Sequence, residues 1–412
     1  MNTYLILILA ILIGDYVLNL VLEVLNVKNA SPILPKEFEG YYDAAKYKTS
    51  QNYLKENTKF TLISDAVFKL ILIIFILKGG FNFVDIMARS FNLGSIGSGL
   101  VFSVILLLLA QIINLPFSIY NTFVIEEKYG FNRTTPLTFV SDLFKTWILA
   151  VIIGGIALAA ILWFFEKMGS LAWVYCWLFL SLFQIFLLFI APAVILPLFN
   201  KFIPLEEGEL RRKIEDYAKA QSFKLKGIFK MDGSKRSTKS NAFFTGFGKY
   251  KRIALFDTLI ERQSVDELVS VLAHEVGHYK KHHVLKGVVM ALITSAFMFF
   301  ILSLFINNPK LFSAFKMENI SIYASLFFFS FLYSPVNMLI SIYRQVLSRK
   351  HEYEADAYAV ETYKQPEAMI LALKKLSVDN LSNLTPHPLK VFLEYSHPPV
   401  LKRIEVIRKL AV

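Results

Sequence analysis

The chain has very little cysteine and little charge. Its single cysteine, Cys176, excludes an internal disulfide and a thiolate metal cage, so any metal site must use histidine, glutamate or aspartate. Charged residues make up only 18% of the 412 positions, whereas 55% are hydrophobic. Several charge-free runs approach the ~20 residues that cross a bilayer. The composition therefore excludes an ordinary soluble protein and indicates a polytopic membrane protein.

Seven apolar runs are predicted to be transmembrane helices. They lie at approximately residues 3–27, 59–79, 99–122, 140–165, 171–199, 285–307 and 320–343. The first run has no basic residue before its apolar core and no small-residue cleavage site, so we interpret it as a permanent span. The spans divide the chain into predicted parts. These are spans 1–5 (1–199), a loop domain with the β-like runs "GIFKM", "NAFFTGF" and "RIALFD" (200–284), spans 6 and 7 (285–343) and a helical tail (344–412).

Basic residues are distributed unevenly among the loops, and the formal net charge is +12. The loops after spans 1 and 3, the loop domain and the tail are rich in lysine and arginine, and the loops between them are poor. The positive-inside rule then places the N-terminus outside and both larger segments in the cytoplasm. Because no nucleic-acid-binding motif accompanies the charge, the expected partner is an anionic lipid bilayer and not nucleic acid.

Histidine is absent from the first 273 residues, and all seven histidines lie in segments predicted to be cytoplasmic. Two of them belong to "HEVGH", in which His274 and His278 share one face of a helix and can bind one Zn²⁺. Glu275 stands beside the first histidine, where it can act as general base toward the attacking water. Ser264 and Glu267 form a capping box that predicts the start of this helix. The alternative is a solvated, histidine-rich helix surface.

A zinc site of this kind needs a third protein ligand, for which the stretch "SRKHEYEADAYA" supplies candidates. Glu352 and Asp356 share a helix face, and the small residues Ala355 and Ala359 beside them allow close approach to the HEVGH helix. We predict that Glu352 is the ligand and that Asp356 accepts the second N–H of a ligand histidine. Glu354 is the rival ligand, but it points about 160° away from Asp356 on a helix. A solvated charged face is the alternative for the whole stretch.

Three further residues are candidates for contact with a substrate. His397 and Arg403 in "YSHPPVLKRI" can donate to the oxyanion that forms when water attacks a peptide carbonyl. Asn241 stands in the strand "SNAFFTGFG", which precedes the HEVGH helix and can pair with a substrate backbone. The alternatives are a turn cap for His397, a basic surface residue for Arg403 and a turn-forming residue for Asn241.

Five stretches of the chain match one known family. They are "LAHEVGHYKKHH", "SRKHEYEADAYA", "YSHPPVLKRI", "SNAFFTGFG" and "IEEKYGFNRTT". With its seven spans, the chain resembles the Ste24 family of integral-membrane zinc metalloproteases, the type I CAAX prenyl proteases of peptidase family M48. The resemblance implies an all-α polytopic fold in which seven helices enclose a hollow α-barrel chamber, with a cytoplasmic zincin-like domain that carries a small β-sheet.

The resemblance also implies a zinc metalloendopeptidase with one Zn²⁺ per chain that acts on peptides or proteins, including prenylated CAAX substrates. We expect a monomer. The matching positions are His274, His278 and Glu352 as zinc ligands, Glu275 as the catalytic glutamate, Asp356 as the acid behind the ligands, and Asn241, His397 and Arg403 as substrate contacts. Tyr279 stands where eukaryotic members often have tryptophan, and we expect it to contact the substrate.

The end of the sequence, "RKLAV", shows no endoplasmic-reticulum retrieval signal, which fits a bacterial inner (plasma) membrane; a eukaryotic member would reside in the endoplasmic reticulum. One alternative function is an HtpX-like quality-control protease without prenyl specificity. An alternative of another class is a seven-span transporter with a non-catalytic HExxH. An intramembrane site-2 protease is disfavoured because Lys280 and Lys281 directly follow the motif, which there lies within an apolar span.

Overall fold

The computed structural model describes residues 2–245 and 252–411, which are mostly helical. Seven helices in this part of the chain are long and apolar enough to cross a membrane, as predicted. The N-terminal half contains α1 (Thr3–Asn29), α2 (Ala44–Leu77), α3 (Gly80–Ser90), α4 (Gly94–Tyr120), α5 (Pro136–Leu149), α6 (Gly155–Lys167), α7 (Ala172–Ile190) and α8 (Leu196–Phe199). The prediction of an all-α polytopic fold with a small sheet is confirmed.

Short π-helical segments interrupt or extend three of the spans. They are Asn121–Glu126 after α4, Ala150–Gly154 between α5 and α6, and Ala191–Ile195 between α7 and α8. The third segment contains Pro192, whose missing N–H cannot take part in an α-helical hydrogen bond. The chain keeps its direction through these segments, so α5 with α6 and α7 with α8 each form one membrane-length rod.

The sheet lies in the segment that directly follows α8. Its strands are β1 (Phe202–Pro204), β2 (Gly227–Met231), β3 (Ala242–Thr245) and β4 (Arg252–Phe256), in the spatial order β1-β2-β4-β3. The central pair, β2 and β4, is parallel, and the two outer strands pair antiparallel with them. The same segment contains α9 (Glu209–Ala220), α10 (Asp257–Arg262) and α11 (Val265–Lys280). Side chains of β2 and β4 pack with α9 and α11 in one hydrophobic core. The strand order places β3 at one edge of the sheet.

The C-terminal part begins with two membrane helices and ends with a helical tail. Its helices are α12 (His283–Phe305), α13 (Pro309–Ala314), α14 (Ile322–Tyr363), α15 (Pro366–Asp379), α16 (Pro388–Glu394) and α17 (Val400–Leu410). At 1.5 Å per residue, the 42 residues of α14 extend about 63 Å, roughly twice the hydrocarbon thickness of a bilayer. This helix therefore runs without a break from the membrane layer into the tail.

The short helices α3 and α13 cover the end of the bundle opposite the sheet. Their aromatic side chains pack against α14, where the Phe315 and Phe328 rings stack with centroids 3.7 Å apart. Asp85 of α3 is fully buried, but it accepts hydrogen bonds from the Tyr323 hydroxyl and, at 2.8 Å, from the Arg89 Nε. A buried carboxylate with two donors is compensated for its lost hydration.

Two polar contacts join the membrane-length helices α1 and α2. Asp15 forms an ion pair with Lys69, and the Asn19 amide donates to Asp65 over 3.1 Å. Ionisable groups at membrane depth are costly unless they meet a partner or face a polar space. These contacts therefore hold α1 against α2 and compensate the charges of the side chains involved.

Candidate metal centre and active site

Two helices position the candidate metal ligands. The helix α11 begins at the capping box that was predicted, in which Ser264 accepts from the Glu267 N–H and the Glu267 carboxylate accepts from the Ser264 N–H. It packs against α14 at Ala355 and Ala359, which are both buried, so the predicted close approach at these small residues is confirmed. The tightest contact involves Gly277, because a Cβ there would lie 3.1 Å from the Ala355 Cα.

Gly277→Val is expected to separate the two ligand-bearing helices. Its Cβ would meet the backbone of Ala355, which cannot rotate away, so the variant should unfold at lower temperature and bind less metal. Overpacking of this kind costs about 1–3 kcal/mol. The matched control is Gly287→Val in α12, where nothing lies within 4 Å of the added Cβ. Equal thermal stability and metal content in the two variants would contradict this account of the packing.

Three side chains from α11 and α14 meet in one cluster. The Nε2 atoms of His274 and His278 are 3.1 Å apart, and the Glu352 carboxylate oxygens lie 3.4 and 3.2 Å from them. Ligand atoms around a tetrahedral ion with bonds of about 2.0–2.1 Å would be separated by about 3.3–3.4 Å. The buried Glu352 Oε2 has no hydrogen-bond partner among the described residues. The spacing and the unsatisfied oxygen fit a metal ion bound by two histidines and one carboxylate.

The second nitrogen of His274 faces Asp356. The distance from Nδ1 to the Asp356 carboxylate is 2.8 Å, and Arg403 holds this carboxylate by two further bonds of 2.6 and 2.8 Å. Since a carboxylate accepts, Nδ1 carries a proton, and Nε2 is the nitrogen that faces the other candidate ligands. Burial opposes the charged form of His274, but the carboxylates of Asp356 and Glu352 raise its pKa to about 9, so a metal that binds at Nε2 displaces a proton.

The second nitrogen of His278 faces another histidine, which the sequence analysis did not single out. The Nδ1 atoms of His278 and His283 are 3.0 Å apart, and the His283 Nε2 lies 2.9 Å from the Glu354 carboxylate. The Glu354 carboxylate accepts a hydrogen bond from the His283 Nε2–H, so the Nδ1 of the neutral His283 ring accepts one from the His278 Nδ1–H. This relay leaves the His278 Nε2 lone pair free for a metal. The glutamate considered as a rival ligand thus belongs to the relay.

His283, Glu354 and His351 also lie close enough together to hold a metal by distance alone. The His351 ring, however, stacks on His283 with centroids 3.9 Å apart and an interplanar angle of 10°. Lone pairs of stacked imidazoles run parallel and do not converge on one ion, and both His283 nitrogens already have partners. We therefore interpret this cluster as support for His278.

His283→Phe is expected to weaken metal binding about 10- to 100-fold, the usual effect of losing a group that orients a ligand histidine. Phenylalanine keeps a ring in the buried space but cannot accept the proton of His278. The control, His351→Phe, preserves the stacked pair without touching a candidate ligand. Competition with a chelator of known affinity measures the difference. Wild-type affinity in His283→Phe would refute the relay.

The other predicted site residues occupy different positions around this cluster. Glu275 is half-buried and, with Tyr279, lines a cavity of about 760 Å³ that opens beside His278. The His397 Nε2 lies 3.4 Å from the Glu352 carboxylate and is largely exposed. These residues face the open side of the cluster.

Arg403 is buried on the closed side of the cluster. Its guanidinium binds Asp356, and its Nη1 lies 3.4 Å from the Glu352 Oε2. Burial opposes the charge, but Asp356 outweighs that effect and raises the pKa of Arg403. In this position Arg403 compensates the charges of the Asp356 and Glu352 carboxylates. A hydrogen-bond donor to the oxyanion would have to face the open side of the cluster, where His397 lies.

Of Asn241 and Tyr279, the two remaining predicted substrate contacts, Tyr279 lines the cavity. Asn241 is exposed directly before the edge strand β3, and its side-chain oxygen accepts from the Ala242 N–H over 2.8 Å. Tyr279 packs edge-on against Phe223 with ring centroids 5.2 Å apart. The end of the stretch "SNAFFTGFG", residues 246–248, lies outside the described residues.

Two histidines and a glutamate converge at the end of a bundle of membrane-length helices, with a second glutamate beside them facing a cavity. This arrangement supplies a metal position and a base for an attacking water. The fold and the site together define a membrane-embedded metallohydrolase of the HExxH type.

Comparison with known proteins gives the family. Residues 23–201 match the CAAX prenyl protease N-terminal model with five membrane helices, and residues 204–411 match the model of peptidase family M48. The CAAX prenyl protease 1 homolog of Oryza sativa subsp. japonica is 38% identical over 91% of this chain and 90% of its own length. CAAX prenyl protease 1 of Saccharomyces cerevisiae is 34% identical over 91% and 88%. The crystal structure of S. mikatae Ste24p matches with a TM-score of 0.94 at 32% identity, covering 99% of both chains.

The chain belongs to peptidase family M48 and, within it, to the Ste24 family, so it is an integral-membrane metalloprotease that acts on peptides or proteins. The chamber fold expected from the resemblance agrees with the close structural match. The relatives named here are eukaryotic, and a bacterial source stays a prediction.

Proposed function

We propose that the chain is a zinc endopeptidase that cleaves CAAX proteins near their C-terminus, prenylated ones included. The observation that carries the proposal is the near-tetrahedral spacing of His274, His278 and Glu352, with Glu275 beside them at the mouth of a cavity. The substrate class is supported by relatives named CAAX prenyl protease 1 that match about nine-tenths of the chain.

Zinc is the proposed metal, one ion per chain. Two imidazole nitrogens and one carboxylate oxygen match the ligand set of catalytic zinc sites, which keep a fourth position open. When bound, zinc supplies Lewis acidity toward the scissile carbonyl and the attacking water. Asp356 and His283 hold the ligand histidines in the required tautomers.

The remaining chemistry belongs to side chains around the cluster. Glu275 takes a proton from the attacking water and passes it to the leaving amine. His397 faces the open side of the cluster, where it can donate a hydrogen bond to the developing oxyanion. Asn241 and the edge strand β3 offer backbone and amide groups to an extended substrate.

The proposed orientation places the N-terminus outside and the catalytic site on the cytoplasmic side, in a bacterial inner membrane or, in a eukaryotic host, the endoplasmic reticulum. The basic loops on one side of the spans support this orientation. We further propose a monomer, because one chain supplies every candidate ligand, and the organisation into parts 1–199, 200–284, 285–343 and 344–412.

A pair of peptides tests the substrate class. The purified chain, in detergent with zinc, is incubated with a farnesylated CAAX peptide and its unlipidated twin. Faster cleavage of the farnesylated peptide at the bond after the cysteine is the expected result. Equal rates on both peptides would favour an HtpX-like role without prenyl specificity. Cleavage of neither peptide would contradict the CAAX proposal.

A further inference from the structure

The cavity beside His278 extends from the metal centre into the layer of membrane helices. It lies between α7, α12 and α14, and its volume of about 760 Å³ falls within the usual range for a small-molecule site. Glu275 and His278 line it near the metal centre, and Gln184, Thr294 and Ser295 line it from the membrane helices. A short peptide segment fits such a space, whereas a folded protein does not.

One permanent cation, Arg344, is found among the described residues that line this cavity. Arg344 is exposed, and no ion pair or hydrogen bond joins its guanidinium to another described residue. It shares a face of α14 with His351, which lines the same cavity. Such an arginine, beside membrane helices, can bind an anion, above all a planar carboxylate that it can hold by two hydrogen bonds.

The spacing of Arg344 and the candidate ligand Glu352 along α14 corresponds to a defined length of peptide. Arg344 precedes Glu352 by eight residues of one continuous helix, which is about 12 Å along its axis. Three extended residues span about 10–11 Å. A substrate whose scissile bond lies at the metal centre would therefore bring its C-terminal carboxylate to Arg344 when three residues follow that bond.

We propose that Arg344 binds the free C-terminal carboxylate of the substrate, so that the cavity holds the segment that is released. This inference rests on the proposed function and deepens it. The body of the substrate protein must remain outside, because only the short segment after the scissile bond fits the cavity. Arg344 thus makes cleavage depend on how far the bond lies from the end of the substrate.

The test combines a change in the substrate with a change in Arg344. One CAAX peptide is prepared as the C-terminal acid and as the C-terminal amide, and kcat/KM is measured for both with the wild type and with Arg344→Gln. Amidation should lower kcat/KM of the wild type about 10- to 100-fold, as expected for loss of a charge-assisted pair, mainly through KM. In Arg344→Gln the acid and the amide should be cleaved within about twofold of each other.

Two further variants distinguish the loss of the carboxylate site from a loss of folding. Arg344→Lys keeps the charge and should restore part of the preference for the acid. Lys350→Gln removes an exposed cation of the same helix that does not line the cavity, and should keep the full preference. Thermal stability and metal content are compared for all variants.

The outcomes separate this inference from the proposed function. If the wild type cleaves neither peptide, both fail. If it cleaves the acid and the amide equally, the carboxylate site alone is refuted. A further outcome is that Arg344→Gln slows cleavage of both peptides equally and keeps the wild-type preference for the acid over the amide. In that case Arg344 contacts a lipid phosphate or supports the helix, and the inference is again refuted.

Discussion

Glu275→Gln is expected to abolish peptide cleavage while leaving the metal content unchanged. Glutamine has the size of glutamate and can still accept a hydrogen bond, but it cannot take a proton from water at neutral pH. General-base catalysis contributes about 10²- to 10⁴-fold, so kcat should fall by at least 100-fold. Because Glu275 is outside the cluster formed by His274, His278 and Glu352, the metal should still bind with full occupancy.

Mass spectrometry of the metal and the rate of peptide cleavage are measured on the same preparations. The matched control is Glu206→Gln, an exposed glutamate in the loop domain, which should cleave at the wild-type rate. If Glu275→Gln cleaves at more than a tenth of the wild-type rate, another group is the base. If it loses the metal as well, Glu275 has a structural role that this account does not include.

Glu352→Gln is expected to lose the metal and, with it, all cleavage. The carboxylate is one of three ligand candidates, and its buried oxygen has no other hydrogen-bond partner among the residues described. A neutral amide is a much weaker ligand than a carboxylate for a divalent cation. Metal affinity should fall by more than the 10- to 100-fold that follows removal of a group that only hydrogen-bonds to a metal ligand.

Glu354→Gln is the matched comparison, because it makes the same change two residues further along α14. Its amide oxygen can still accept from the His283 Nε2, so the relay to His278 persists, and metal affinity should fall less than 10-fold. Competition with a chelator of known affinity ranks the variants by their metal affinity. Equal losses of affinity in Glu352→Gln and Glu354→Gln would contradict the assignment of Glu352 as the ligand.

The cluster of candidate metal ligands could be predicted because helical spacing is a local property. Pairs four apart, such as His274 with His278 and Glu352 with Asp356, must share a face wherever the helix lies. The structure brings these four side chains together and directs Glu354 elsewhere, as the angle on the helix required. The small residues of α14 likewise indicated which surface approaches α11.

The relay through His283 could not be predicted in this way. His278 and His283 are five residues apart, a spacing that separates side chains on a helix. They meet because His282 adopts a left-handed conformation with φ of 58°, which ends α11 and turns the chain into α12. The unusual density of histidine in "HEVGHYKKHH" was the available signal.

The membrane segments were predicted correctly in number but not in extent. Hydropathy detects only the part of a helix that crosses lipid, so α2, predicted from residue 59, begins at Ala44, where Asp43 caps it. The same limit concealed the continuity of α14 across residues 343 and 344, although no glycine or proline interrupts it there. The helices α3 and α13 are shorter than a span, so hydropathy did not reveal them.

The most direct test of the central claim is a titration of metal-free protein with zinc, in which bound zinc and cleavage of a CAAX peptide are followed together. The account predicts that the chelated protein is inactive and that activity rises in proportion to bound zinc until one ion is bound per chain. Glu352→Gln should show no such rise. Full cleavage by the metal-free chain, or saturation with zinc at one per chain without any cleavage, would contradict the account.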